Sequence, residues 1–306
     1  MKRTNIGGQA VIEGVMMMGK KIYAMAVRVP DGSITIEKNP REVLLSKYAL
    51  FKKPIFRGVA SFIESMVVGV KIIMRSATLA GFEDELEEPS KFEKWLEDKF
   101  GDKLSDILVY FSVCCSVLLA IGLFFMLPVF IGSIFKPILP GTWALSIVEG
   151  IARIAIFLVY VWGISFMNEI KRVYQYHGAE HKTINCFESG DELTVENVRK
   201  HTRMHKRCGT SFLLIVMIIS MVVFFFVRTD NFVLRLASRV VLVPFIAGIS
   251  YEVIKWAGNS DSKLVNIISS PGLCLQKLTT KEPDDSQIEC AIAAMKGVLE
   301  DESEQE

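Results

Sequence analysis

The sequence predicts a mainly α, polytopic membrane protein with about four transmembrane helices and a cytoplasmic α+β layer. Three observations lead there. Of the 306 residues 51% are hydrophobic while 23% are charged, so the two kinds are segregated along the chain. Four stretches, 107–135, 143–167, 211–227 and 240–256, run on with few charges, and about 18 apolar residues suffice to cross the ~30 Å hydrocarbon layer as helix. Basic residues are unevenly shared: 17 precede the first stretch, eight lie in the 168–209 loop and five in the tail from Lys255, but only Lys136 falls in the connection 136–142. Basic loops stay in the cytoplasm, which places both termini and the middle loop inside.

Taken in order, 1–105 reads as a cytoplasmic region of hairpin and amphipathic helices. The β-prone runs 23–28 and 33–37 flank Pro30-Asp31-Gly32, an Asp-Gly turn signal for a hairpin. Over 57–80, Val59, Phe62, Ile63, Met66, Val67, Val70, Ile73, Met74 and Ala77 recur at three- and four-residue steps, which is one apolar face of a helix. Arg57, Glu64, Lys71 and Arg75 interrupt it too often for a span, so it lies on the membrane surface or packs on the cytoplasmic side of the bundle. Ser90 and Glu93 form a capping box opening a further helix with Phe92, Trp95, Leu96 and Phe100 on one side. The run Met16-Met17-Met18 reads as packing.

The first two spans occupy 106–167, with a kink or tilt expected around Pro128. A cytoplasmic His-rich helical loop covers 168–209, the last two spans 210–257, and a cytoplasmic tail 258–306, whose acidic end 300–306 reads as disordered. Met1 to Gly8 has no apolar core behind its two basic residues, so no cleavable signal peptide is expected. The six cysteines, at 114, 115, 186, 208, 274 and 290, are scattered and read as reduced thiols. A net charge of +1 without a long basic run leaves little to neutralise phosphates, which excludes a dedicated nucleic-acid binder. The expected partners are the lipid bilayer and other membrane proteins.

All four histidines fall between 177 and 205. His177 and His181 are four apart, as are His201 and His205, so each pair on a helix shares one face. The second span is expected to run on past Asn168 to about Asn185, and Thr194 to cap a second helix through His201 and His205. Such an antiparallel pair would hold a metal just below the membrane. Cys208 lies three residues beyond His205 and Cys186 ends the first helix, and this nitrogen and sulfur set suits zinc best among divalent metals. His177 to His181 also fits the H-x-x-E-H template, with two zinc-binding histidines and Glu180 as general base toward the attacking water. A third ligand is sought among His205, Glu188 and Cys208.

Inside the spans, Glu149 and Arg153 are four apart and can pair on one helical face, away from lipid. Arg239 and Glu252 bracket the fourth span. One pair makes neither a proton relay nor a pore, so these charges read as structural and a transporter ranks third among the functions.

Four motifs carry a resemblance. They are Gly7-Gly8-Gln9-Ala10-Val11-Ile12-Glu13-Gly14-Val15-Met16-Met17, Tyr176-His177-Gly178-Ala179-Glu180-His181-Lys182, His205-Lys206-Arg207-Cys208-Gly209-Thr210-Ser211-Phe212, and Pro271-Gly272-Leu273 through Leu275-Gln276 to Leu278-Thr279-Thr280-Lys281-Glu282-Pro283. In this order they resemble the YqhQ-like family of bacterial membrane proteins over nearly the whole chain. That family is a domain of unknown function labelled a predicted metal-dependent enzyme. The resemblance implies a bacterial plasma membrane and a site of His177, Glu180, His181, His205 and Cys208 together with Gly7, Gly8, Gln9 and Glu13. His201 lies outside the motif, and Glu13 is a candidate oxygen ligand.

The function expected is a metal-dependent, zinc-type membrane hydrolase at the cytoplasmic face. The runner-up is a non-catalytic scaffold or accessory factor with a structural metal.

Overall fold

The computed structural model describes residues 4, 6–41, 45, 47–82, 104–227, 229, 231–258, 260 and 262–303. The expected capping box at Ser90 and Glu93 and its helix lie outside them. The chain divides into two compact units, one of 1–81, 160–219 and 244–306, the other of 82–159 and 220–243. The fold is mainly helical with one small antiparallel sheet. Among the described residues three helices, Cys114–Ile138, Trp143–Ile164 and Gly209–Phe226, are long and apolar enough to cross a membrane, and a bent pair, Val233–Val241 with Val243–Ala257, makes up to four.

The first unit is built on a four-stranded meander in the order β1 (Gly7–Val11), β2 (Gly14–Met18), β3 (Ile22–Arg28) and β4 (Ile34–Pro40). The hairpin expected at Asp31-Gly32 is β3–β4, with Arg28 opposite Ile34. The first two strands were not foreseen. Alternation decides what each face meets. Val15, Met17, Ala24 and Ala26 face a core with Tyr176, Ala179, Ile288, Ala291, Met295 and Val298, whereas Val11, Met16, Tyr23, Met25 and Val27 cluster with Ile72. The sheet is therefore a middle layer. On one face lie α5 (Asn168–Ser189) and α11 (Asp285–Ser303), and on the other α1 (Phe56–Leu79). Met16 and Met17 fill the two opposite cores, as packing residues do.

Helix α1 buries its small side, Gly58, Ala60, Gly69, Ile72 and Ser76. Most of its expected apolar face is turned away from the rest of the unit. Ile63, Met66, Val67, Val70, Ile73 and Met74 are between 39 and 55% exposed.

Three expectations for the loop and tail change. The second span does not continue into α5, because the chain turns extended at Met167 and α5 starts afresh at Asn168; Ser165 there donates its hydroxyl to Trp162 O at 2.7 Å, a local bond that competes with the helix ladder. Thr194 does cap a helix, accepting from Asn197 N at 3.3 Å, but that helix, α6 (Val195–Lys200), ends before His201. His201 and His205 are thus not a helical pair. The tail is ordered as α10 (Lys263–Thr279) and α11, and Glu300, expected to be disordered, is helical and pairs with Lys38 at 2.9 Å.

The second unit holds α2 (Leu104–Ile121), a π-helical turn Gly122–Met126, α3 (Leu127–Phe135) and parts of α4 (Thr142–Ile164) and α7 (Gly209–Phe226), with α8 (Phe232–Val241). Pro128 has no N–H to offer the carbonyl four residues earlier, and the irregular turn sits at this point. Arg153 Nε donates to that carbonyl, Phe124 O, at 2.9 Å. The expected Glu149–Arg153 pair is therefore not formed. Glu149 instead accepts from Arg235 at 3.0 Å and Arg239 at 2.7 Å. Glu252, in α9 (Val243–Gly258) of the first unit, pairs with Arg57. The expected fourth span is bent by 42° between α8 and α9, next to Pro244, which cannot complete the helical ladder.

Candidate metal centre

Helix α5 carries His177, Glu180, His181, Ile184 and Glu188 at steps of three and four, hence along one face. Helix α5 ties down the end of α6 and the irregular segment that follows it. Lys182 Nζ donates to Arg199 O at 2.9 Å, Asn185 Nδ2 to Thr202 O at 2.6 Å, and His181 Nδ1 meets Arg203 O at 2.6 Å. Buried Gln276 of α10 then clamps the next stretch: it accepts from His205 N at 2.9 Å and donates to His205 O at 2.8 Å and to Ser211 Oγ at 2.9 Å. These contacts deliver Cys208 to α5.

The two imidazoles of α5 are oriented alike. His177 Nδ1 lies 2.9 Å from Thr279 O, so in both rings a backbone carbonyl faces Nδ1, fixes the proton there and leaves Nε2 as the lone-pair nitrogen. His177 Nε2 stands 3.2 Å from Cys208 Sγ. His181 Nε2 is buried and has no hydrogen-bond partner among the described residues. Burial holds the His181 imidazole below the ordinary histidine range, against the opposing influence of Cys208 and the Arg203 carbonyl. One ligand atom from each of His177, His181 and Cys208 lies within 4.8 Å of the others. Two imidazole nitrogens, one of them the buried and unpartnered Nε2 of His181, and a sulfur fit a zinc-type ion. Thr210 N, 3.4 Å from the sulfur, orients it further.

Glu180 is buried beside this group, 3.9 Å from His177 Nε2. Burial pushes its carboxyl above the ordinary range, while His177 and His205 pull the other way. Gly8 of β1 lies so close that a Cβ there would come within 2.7 to 2.9 Å of the Glu180 side chain. Gly7, Gly8 and Gln9 line, with His177, Glu180, His205 and Cys208, a cavity of about 740 Å³ whose remaining wall is largely apolar.

The other expected residues lie elsewhere. His205 turns toward Glu188, at 3.8 Å, and its ring centroid lies 5.6 Å from that of His181, so it lines the cavity and borders the three-ligand group. Glu188 is taken by Arg207 and by Thr4 N at 3.0 Å; burial raises its pKa, but the neighbouring His205 ring, the Thr4 amide and the Arg207 charge outweigh this and hold it at about 2. Glu13, expected as an oxygen ligand, binds Arg172 and, at 3.3 Å, Tyr176 Oη. It anchors the β1–β2 turn to α5. His201 sits with Asp191, at 2.9 Å, and Cys186 in a separate group. Reading the sequence alone gave no role to Gln276 or Thr279, although both fall in the fourth motif, and it missed Arg235.

Comparison with known proteins agrees with the motifs. A family model described as "Protein of unknown function (DUF1385)" matches residues 53–301. Over 298 residues the chain is 39% identical to the "Uncharacterized protein YqhQ" of Bacillus subtilis (strain 168), covering 96% of this chain and 92% of that protein. No solved structure matches. With the family model spanning most of its length and such a relative nearly all of it, the chain belongs to the DUF1385 family of proteins of unknown function.

Proposed function

We propose that this is a metal-dependent membrane enzyme, hydrolytic in class, working at the cytoplasmic face of the plasma membrane. The observation that carries the reading is the shared orientation of His177 and His181, each held at Nδ1 by a backbone carbonyl with Nε2 turned into the group that includes Cys208. A zinc-type ion held by these three residues would supply Lewis-acid polarisation of an attacked carbonyl or phosphoryl oxygen. Glu180 is the proton carrier: it is buried and adjacent, and burial pushes its carboxyl above the ordinary carboxylate range, the direction a general base or acid needs. The cavity beside it receives the apolar part of a substrate against Met16, Met18, Val68 and Val173.

The membrane setting is supported by the three or four apolar helices and by the apolar side of α1, where Ile63, Met66, Val67, Val70, Ile73 and Met74 are exposed, which suits the bilayer surface better than the bundle. The cytoplasmic face is supported by the basic residues of the sheet region and of 168–209. The runner-up, a scaffold with a structural metal, uses the same ligands but needs no proton carrier.

Glu180→Gln separates the two. It keeps size and hydrogen bonding but cannot accept a proton. For the enzyme, the variant folds, inserts and retains metal in full, yet fails to rescue a phenotype of the deletion strain. Full rescue by a metal-loaded Glu180→Gln protein would sink the catalytic reading, and loss of its metal would make Glu180 a ligand rather than a base.

A further inference from the structure

The second unit concentrates buried charge that its described residues do not balance. Glu149, Arg153, Arg235 and Arg239 are each at most 5% exposed, and three guanidinium groups against one carboxylate leave a net charge of +2. Arginine does not shed its proton in proteins. Glu149 is used up by Arg235 and Arg239. Arg153 reaches Phe124 O and, at 3.4 Å, Ser220 Oγ. Three buried guanidinium nitrogens remain without an acceptor among the described residues: Arg153 Nη2, Arg239 Nε and Arg239 Nη1. They belong to neighbouring groups, since the Phe224 ring lies 5.1 Å from the Arg153 guanidinium carbon and 4.1 Å from that of Arg239. A ring face attracts a cation but accepts no directed hydrogen bonds of the strength lost here.

Buried charge of one sign without counter-charge is among the most costly arrangements a protein can hold, and in an apolar bundle it marks a function. We propose that Arg153 and Arg239 form a binding site for a phosphate-type oxyanion, with Glu149 and Arg235 holding Arg239 in place. Such a group brings the missing negative charge and several acceptor oxygens at once, and guanidinium forks match its geometry. Phe224 lies two residues from the end of α7 at Phe226, or about 3 Å along the axis. Arg153 is at the midpoint of α4, and its partner Ser220 is six residues, or about 9 Å, inside the same end of α7, so a phospholipid headgroup or a free phosphate enters from the Phe226 end. The inference is independent of the histidine site.

The test uses the full-length protein, purified in a neutral detergent and stripped of lipid, with binding followed by native mass spectrometry and by thermal stabilisation at constant ionic strength. One arm adds phosphatidylglycerol and the other inorganic phosphate, with chloride as the control anion. Binding of one equivalent in either arm is expected, weakened at least tenfold in Arg153→Gln, and the arm that responds names the source. Arg239→Lys, which keeps the charge but loses the fork, should weaken it as well. Should either variant fail to fold, wild-type protein decides alone: stabilisation by phosphatidylglycerol or phosphate beyond that by chloride supports the site. No binding in either arm, equal stabilisation by chloride, or undiminished binding by a folded Arg153→Gln would overturn it.

Discussion

Gly178 of α5 lies directly against the backbone carbonyl of Lys281, so near that a Cβ at this position would collide with it. The approach is locked by Lys281 N donating to Tyr174 O at 2.8 Å. Two residues before Lys281, Thr279 O orients His177. The glycine in the His-Gly-Ala-Glu-His run is thus the clearance that lets the fourth motif set the imidazole of the second.

A prediction of inverted sign follows. Gly→Ala inside a helix ordinarily stabilises by about 0.8 to 1 kcal/mol, but here the added methyl meets backbone that cannot turn aside. Gly178→Ala should instead destabilise, by roughly 1 to 3 kcal/mol for an overpacked contact, and should lower bound metal through the displaced Thr279 carbonyl. Thermal unfolding in detergent, with metal content of the folded fraction, reads both effects. A more stable variant with unchanged metal would show that the contact does not constrain the site.

The ligand set makes a second prediction. Replacing His177, His181 or Cys208 with alanine removes one of three ligand atoms within 4.8 Å of one another, and each change should lower bound zinc to a similar, large extent. His201→Ala should leave the ion at this centre in place, because that ring belongs to a second possible ligand group with Asp191 and Cys186. His205→Ala should cost less than the first three. Elemental analysis of the purified variants decides, and a zinc content that survives all three ligand changes rules the centre out.

How far the sequence alone reaches is visible in these residues. Periodic and local signals were readable: the Asp31-Gly32 turn, the helical repeat of α1, the apolar runs, the Thr194 cap and the four-residue step from His177 to His181. Contacts between distant positions were not. Gln276 holds His205 across 71 residues and Thr279 orients His177 across 102, and although both fall in the fourth motif, nothing in their spacing announces these partners. Glu149 had an available partner four residues away, yet the fold supplies two arginines 86 and 90 residues on. The extension of α6 through His201 failed for a simpler reason. Helical spacing of two histidines is compatible with a helix but does not require one, and the chain leaves α6 through an extended His201 to run past α5 as an irregular segment.

A third prediction concerns acid. Glu188 has an ordinary pKa of 4.5 when unfolded and about 2 in the fold. A lowered carboxyl pKa contributes stability that is present above the unfolded value and lost as pH falls through the folded one. Wild-type protein should therefore exceed Glu188→Gln in thermal stability at pH 6 to 7, and the gap should close progressively below about pH 4.5. Melting both proteins across that range is the check. A gap that persists unchanged at low pH would mean that Glu188 acts by shape and neutral hydrogen bonding rather than by its charge toward Arg207.

The last prediction is topological, and the packing makes it stricter than charge counting does. Tyr176 and Ala179 of α5 and Ile288, Ala291 and Met295 of α11 share one core with Val15, Met17 and Ala24 of the sheet. Three parts of the chain far apart in sequence therefore lie on one side of any membrane the chain crosses. Reporter fusions after residues 190 and 285 must give the same answer, whichever it is, and the basic residues make that answer cytoplasmic. A fusion after residue 139, just past the candidate span Cys114–Ile138, should read external. Opposite signals at 190 and 285 would contradict the shared core itself. Matching external signals at both would leave the core intact but move the histidine centre to the other face, and with it the compartment from which any substrate comes.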